Sequence, residues 1–495
     1  MLFNSFEFLF FFLPLTIAGL YVFGLRGHHR LAVAFLACAS LFFYAWANPV
    51  FLRLILASMA VNYALWYLLG TIRASGLLAR KILLAGGITF NLGLLGYYKY
   101  ADFFLANLAA VSGGTYLPGN LAQPLAISFF TFQQIAFLVD SYRGETREQS
   151  LLHYVLFVSF FPQLIAGPIV RHQETMPQFI SRGFPRIRAE HVSVGLTLIC
   201  LGLFKKVVLA DSAAPYVAPI FQAAEQGAGL SFFDAWAASL TYTFQLYFDF
   251  SGYTDMALGV ARLFGIYLPL NFNSPYKAEN VIDFWKRWHI SLSRFLRDYL
   301  YFSLGGNRKG KARRYVNIMI TMLLCGLWHG ANWTFVLWGA LHGIFLVVNH
   351  AWRAVKQAVG LTIDRWWSRI LAQGLTFAAV AAAWVLFRAD SLNGAFNLLH
   401  AMTGLKGFTV HADFTPLALA ELLLGLSAIV FFLPNTIEFV DPKGYDLSET
   451  GWTPPNLLRR IRWRPTLVWM AFAAVCALTA IYNLSEVREF IYSGF

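Results

Sequence analysis

The sequence predicts an all-α, polytopic integral membrane protein with about 11–13 membrane-embedded helices, some of them re-entrant. Three observations lead there. Of 495 residues, 58% are hydrophobic and 13% charged, whereas a soluble domain is about 45–50% apolar and about 25% charged. Apolar runs about as long as a membrane is thick recur along the whole chain. The basic residues, which give a formal net charge of +13, sit in the loops between those runs. Such loops stay on the cytoplasmic side and face anionic headgroups. The excess is therefore read as an orientation signal, and nucleic acid is excluded as a partner because no aromatic-rich basic module accompanies it.

The first run, Phe6 to Phe23, is preceded by Glu7 and no basic cluster, and it lacks a small-residue cleavage site, so it reads as a retained span that Pro14 can kink. Further apolar segments lie near 31–47, 50–70, 82–98, 121–139, 151–170, 192–210, 232–250 and 256–270. They resume near 315–328, 332–352, 370–387, 415–433 and 466–483. Gly86, Gly87, Gly93 and Gly96 suit close helix contact, while Pro124, Pro162 and Pro168 predict bent or re-entrant pieces. Arg26 and Arg30 close the first hairpin, and Arg73, Arg80 and Lys81 close the third span. Both loops are expected in the cytoplasm, with the N-terminus outside. Between Lys277 and Arg314 ten basic residues stand against three acidic ones. The later basic groups Arg353, Lys356, Arg365, Arg369 and Arg459, Arg460, Arg462, Arg464 return to the same side after even numbers of spans. The chain is expected to form one membrane domain over 1–495, with N-terminal helices in 1–120, a polar core in 121–352 and C-terminal helices in 353–495. Cys38, Cys200, Cys325 and Cys476 lie far apart in apolar segments, so neither a disulfide framework nor a metal site is expected.

Polar residues interrupt the apolar pattern from Tyr247 to Gly339. Asp249 and Asp255 fall inside a predicted span, where an ionised carboxylate must face protein or water. They are candidates for the wall of a polar funnel, or for helix-to-helix hydrogen bonds. Pro269 to Tyr276 cannot continue a helix and must be buried in protein if it lies at membrane depth. In the following segment Trp285, Trp288, His289, Leu292 and Leu296 share one face at helical spacing, with Lys286, Arg287, Arg294, Arg297 and Asp298 around the other. That cationic face reads as a cytoplasmic interfacial helix. His289 is a candidate functional residue or a satisfied core histidine. The basic Gly305–Gly310 stretch is a candidate phosphate-binding nest or a cytoplasmic turn, and since it lacks P-loop spacing the turn is the favoured reading.

The sharpest feature is Cys325-Gly-Leu-Trp328-His329-Gly330-Ala-Asn-Trp333. Gly326 and Gly330 clear space beside His329, for another helix or for a thin, linear group. A neutral imidazole, with an unperturbed pKa of ~6.5, can accept a proton from an attacking hydroxyl near neutral pH, as acyl transfer requires.

At these residues the chain resembles the membrane-bound O-acyltransferase family, in the bacterial branch that includes alginate O-acetyltransferase membrane components. The resemblance runs over nearly the whole chain. It is carried by Met1-Leu-Phe-Asn4-Ser-Phe-Glu-Phe, Phe42-Phe-Tyr44-Ala-Trp46, Gly167-Pro168-Ile169, Tyr247-Phe-Asp249-Phe-Ser251-Gly252-Tyr-Thr-Asp255, Phe284-Trp285-Lys-Arg-Trp288-His289-Ile-Ser291-Leu and Gly326-Leu-Trp328-His329-Gly330. It implies helices around a central funnel, His329 as the principal catalytic histidine and His289 as the second functional position. Trp285, Trp288, Trp328, Asp249 and Asp255 are expected as substrate-binding residues. The tail Phe490 to Phe495 is similar to the aromatic ending of this branch, with Ser493-Gly494 departing from it.

The resemblance further implies acetyl-CoA as donor, with no cofactor bound permanently, and an exported polysaccharide as acceptor. The implied location is the bacterial inner membrane, with an extracytoplasmic acyltransferase or esterase-like partner completing delivery. Peptidoglycan O-acetylation and teichoic-acid D-alanylation are the other acyl-transfer readings. A polysaccharide transporter or flippase, whose histidines would bind substrate or protons, is the reading from another class.

Overall fold

The computed structural model describes residues 1–495 apart from 47, 73–75, 120–121, 147–149, 182–183, 186–187, 361–364, 412–416, 446–461, 485–489 and 492–495. Arg73, Arg459, Arg460 and the last four tail residues therefore lie outside the described residues. Among the described residues all regular structure is helical, as the composition predicts. Among the described residues, six helices are long and apolar enough to cross a membrane: Glu7–Leu25, Pro49–Thr71, Leu77–Ser112, Ala189–Glu225, Trp333–Val359 and Trp366–Arg388. His29–Ala45, Leu417–Phe432 and Leu467–Tyr482 are shorter apolar helices. Other expected segments are broken. The 151–170 run gives Leu151–Ser159 and Phe161–Leu164, split just before Pro162, which lacks the amide hydrogen that would continue the helix.

Two expectations are corrected. The segments 232–250 and 256–270 share one 32-residue helix, α1, Phe232–Leu263, because nothing between them stops helical hydrogen bonding. Of the four glycines expected to serve close helix contact, Gly87 meets Leu138 and Leu65, whereas Gly86, Gly93 and Gly96 have open space where a Cβ would sit.

The contacts group the chain into two compact units. The first comprises Met1–Cys200, Tyr253–Pro269 and Leu484–Phe495. Its core is aromatic: Phe3 stacks on Phe8 and on Tyr253 at ring separations of 4.6 and 4.8 Å, and Phe161 packs 5.1 Å from Phe12. Asn62 and Asn91 exchange side-chain hydrogen bonds at 3.1 and 2.7 Å, joining two candidate spans through polar groups that lipid would leave unsatisfied. Gly259 lies where a Cβ would collide with the Gly195 carbonyl, so two backbones meet directly.

The second unit comprises Leu201–Gly252 and Leu270–Asn483. After the first part of α1 it contains α2 (Val281–Arg287), α3 (Ile290–Phe295), α4 (Lys311–His329), α5 (Trp333–Val359) and α6 (Trp366–Arg388). Helices α4 and α5 form a closely packed hairpin. A Cβ at Gly326 would overlap the Phe335 carbonyl oxygen and press on Gly339, and one at Gly330 would enter the Phe335 ring. Of the two uses the sequence left open for these glycines, the structure takes helix packing, because α5 occupies the space they clear.

Candidate active site

Between α1 and α2 the chain runs without a long helix through Asn271, Phe272, Asn273 and Ser274, all buried, as a non-helical stretch at membrane depth must be. Asn280 caps α2 by accepting from the Asp283 amide at 3.1 Å. The helix ends at Arg287. Trp288 is extended, with ψ of 128°, and His289 is left-handed, with φ of 42°. The single helical face expected to carry Trp285, Trp288, His289, Leu292 and Leu296 is therefore broken in the middle. A non-glycine residue in that region is strained, and Asn271 holds it there. The Asn271 carbonyl accepts from the Ile290 amide at 3.0 Å. Its side-chain oxygen accepts from the Ser291 amide at 3.3 Å, the Ser291 hydroxyl at 2.6 Å and His289 Nδ1 at 3.3 Å. An amide oxygen only accepts, so Nδ1 carries the proton in this contact and neutral His289 presents a lone pair at Nε2. The Phe250 ring stands edge-on to His289 at 4.9 Å.

The break also redistributes the charges expected on the opposite face. Arg287 is buried, donating to Asp283 at 2.9 Å and to the Asn273 carbonyl at 3.4 Å. Lys286, Arg294 and Arg297 line a cavity of about 430 Å³ together with Arg314, His350, Tyr301 and Asn307. Arg297 is also paired with Asp298 at 2.7 Å. Such a concentration of cations suits an anionic headgroup.

His329 is the last residue of α4, 1% exposed. Trp328, Trp338 and Phe387 surround its ring at 4.9, 5.1 and 5.1 Å. Asn332 fixes the turn beyond it, capping α5 through the Thr334 amide at 3.1 Å and donating to the Asp390 carbonyl past α6 at 3.0 Å. The C-terminal end of a helix carries negative partial charge, which favours a positive charge developing on the imidazole.

Among the expected site residues, Trp328 connects the two histidines, lying 6.2 Å from His289 and 4.9 Å from His329. Trp285 lies on the wall of the basic cavity and 5.9 Å from Trp338. Trp288 packs between Phe272 at 5.0 Å and Trp384 at 4.9 Å. Asp249 is buried and joined to Lys206 Nζ at 2.6 Å, an ammonium it shares with Asp211 at 2.8 Å. Asp255 is buried in the first unit. Sequence reasoning missed Asn271, Lys206 and His342. The last sits in Trp338-Gly-Ala-Leu-His342-Gly343, whose Trp, Gly and His echo the earlier Gly326-Leu-Trp328-His329-Gly330 and supplied a signal.

Residues 125–385 match the model of MBOAT, the membrane-bound O-acyltransferase family. The chain is 43% identical over 436 residues to a peptidoglycan O-acetyltransferase of Helicobacter pylori, covering 83% of this chain and 81% of that one. It is 40% identical over 441 residues to a probable alginate O-acetylase AlgI of Azotobacter vinelandii, covering 87% and 85%. A teichoic acid D-alanyltransferase of Streptococcus thermophilus is 31% identical over 286 residues, covering 54% and 69%.

Proposed function

This chain belongs to the membrane-bound O-acyltransferase family and is an O-acyltransferase of the membrane, and on that premise we propose that it moves an acetyl group from acetyl-CoA to a hydroxyl of an exported polysaccharide. The observation that carries this reading is the joining of two buried histidines by Trp328 in the unit that also holds the basic cavity, whose wall includes Trp285. The cavity's cations would take the phosphates of the donor, and a thin thioester arm would reach inward. The ten basic residues of the 277–314 region support a cytoplasmic mouth, by the retention of cationic loops, and the basic loops at Arg26 and Arg30 and at Arg80 and Lys81 support an N-terminus outside.

In the reaction the acceptor oxygen attacks the thioester carbonyl while His329 takes its proton. The tetrahedral intermediate collapses, the carbon–sulfur bond breaks, and the departing thiolate receives that proton, leaving an ester and free CoA thiol. The helix terminus beneath His329 favours the transient imidazolium. His289, with Nδ1 anchored on Asn271, would offer Nε2 to orient the acceptor hydroxyl, while Trp285, Trp288 and Trp328 would form apolar walls that exclude water. Asp249 would belong to the polar wall of the funnel through its ion pair with Lys206.

The relatives named for alginate favour a secreted polysaccharide; an extracytoplasmic acyltransferase or esterase-like partner would complete delivery from the inner membrane. The Helicobacter pylori relative supports peptidoglycan as a second acceptor. D-alanyl transfer has less support, since that relative covers 54% of this chain. Membership of an O-acyltransferase family displaces the transporter reading. Membranes of the native host, which contain the full chain with its delivery partner, supplied with labelled acetyl-CoA and either acceptor, are expected to produce labelled ester on one of them. Donor consumption without ester on either polymer would overturn the assignment of acceptor class, and an absence of donor consumption would overturn the assignment of acetyl-CoA.

A further inference from the structure

His342 lies on α5, fully buried, and has no part in the mechanism above. Trp285 Nε1–H donates to its Nδ1 at 3.3 Å. An indole nitrogen only donates, so the neutral imidazole must carry its proton on Nε2. That second nitrogen is buried and has no hydrogen-bond partner among the described residues. A phenyl ring would fill similar space without leaving a polar hydrogen unpaired, and the unpaired hydrogen costs stability. A proton relay does not explain it, because the indole on the other nitrogen is not an exchanging acid or base at ordinary pH.

Its surroundings suggest what the hydrogen is for. Trp338 packs 4.8 Å from His342 and 5.1 Å from His329. Trp285, the donor to Nδ1, forms part of the basic cavity wall. His342 thus lies beside the aromatic connection between the cavity and His329. On the proposed function, an acyl donor held by its phosphates in that cavity would pass its arm along this connection, and the arm of CoA contains two amide groups that would lose water on entering.

We infer that His342 is a donor-binding residue, whose Nε2–H hydrogen-bonds an amide carbonyl of the pantetheine arm. The inference rests on the reading of the chain as an acyltransferase that uses a CoA thioester. It assigns the selection of an amide-containing arm to a residue distinct from the two reacting histidines. The Trp285 hydrogen bond is the positioning element, since it fixes the tautomer that can donate.

The test compares acetyl-CoA, S-acetylpantetheine and S-ethyl thioacetate as donors to the full chain in membranes. In the unaltered protein, kcat/KM is expected to fall at least tenfold from S-acetylpantetheine to S-ethyl thioacetate, which lacks both amides. His342→Phe is expected to raise KM for acetyl-CoA about tenfold, with kcat lowered less than threefold. Its loss with S-acetylpantetheine should exceed its loss with S-ethyl thioacetate at least fivefold. His342→Gln, which restores an N–H donor, should recover most of the KM. Equal losses with both donors, or an unchanged KM for acetyl-CoA, would overturn the inference. If neither variant folds, failure of the unaltered protein to distinguish S-acetylpantetheine from S-ethyl thioacetate overturns it. An unaltered protein that turns over no CoA thioester contradicts the CoA-donor reading instead, so the two failures are distinct.

Discussion

His289 and His329 are both buried, yet they are held by opposite means. His289 sits at a left-handed break, fixed by a polar anchor on Asn271. His329 ends a regular helix and is held by the shapes of three aromatic rings. A hydrogen bond fixes the tautomer and direction of an imidazole, whereas aromatic contact fixes its position. The proposed mechanism gives orientation to His289 and proton transfer to His329, in keeping with this contrast.

The largest expected effect tests that division. His329→Ala should lower the rate of acetyl transfer about a thousandfold, within the range of about 10²–10⁴ for a general base. His289→Ala should lower it about thirtyfold, and the two variants should accumulate similarly. Equal losses would break the distinction. Asn271→Ala should reproduce much of the His289→Ala loss, measured as kcat, because it removes the acceptor for three donors around the break. A variant with normal kcat would show that the anchor is dispensable.

Gly326→Ala addresses the other histidine. The added methyl collides with the Phe335 carbonyl where α4 meets α5, and overpacking of this kind costs about 1–3 kcal/mol. The expected result is a lower midpoint of thermal unfolding in detergent, together with reduced activity as His329 shifts. A smaller effect concerns Lys277, at the far end of the stretch that begins with Asn271. Burial pulls its ammonium down to about 8, below the ordinary lysine value of ~10.4. The folded protein therefore loses this proton before the unfolded chain does, and the lysine's contribution to stability rises between those values as pH increases. Lys277→Met should flatten that rise in the pH dependence of the unfolding midpoint.

The fold class was legible because so few charges can be solvated in a chain this apolar. His289 and His329 stood out as candidates for the same reason, as ionisable groups set in membrane-like sequence. The break between Trp288 and His289 was hidden. The residues on either side fit helical spacing, and the break is held by Asn271, a contact 18 residues away. Gly326 and Gly330 signalled close approach correctly, but spacing alone could not tell a neighbouring helix from a ligand. Arg287 read as a surface cation because one of its partners, the Asn273 carbonyl, reaches it only once the stretch before α2 folds back, although its pairing with Asp283 one helical turn away is local.

The central claim is that acetyl passes from a donor at the basic cavity to an acceptor on the other side of the membrane through His329. Sealed inside-out membrane vesicles preloaded with acceptor polymer and given labelled acetyl-CoA outside test it directly. The account predicts labelled ester inside vesicles carrying the unaltered chain, about a thousandfold less with His329→Ala, and no labelling when the unaltered vesicles are right-side-out. Equal labelling with His329→Ala, or labelling that ignores vesicle orientation, would contradict it.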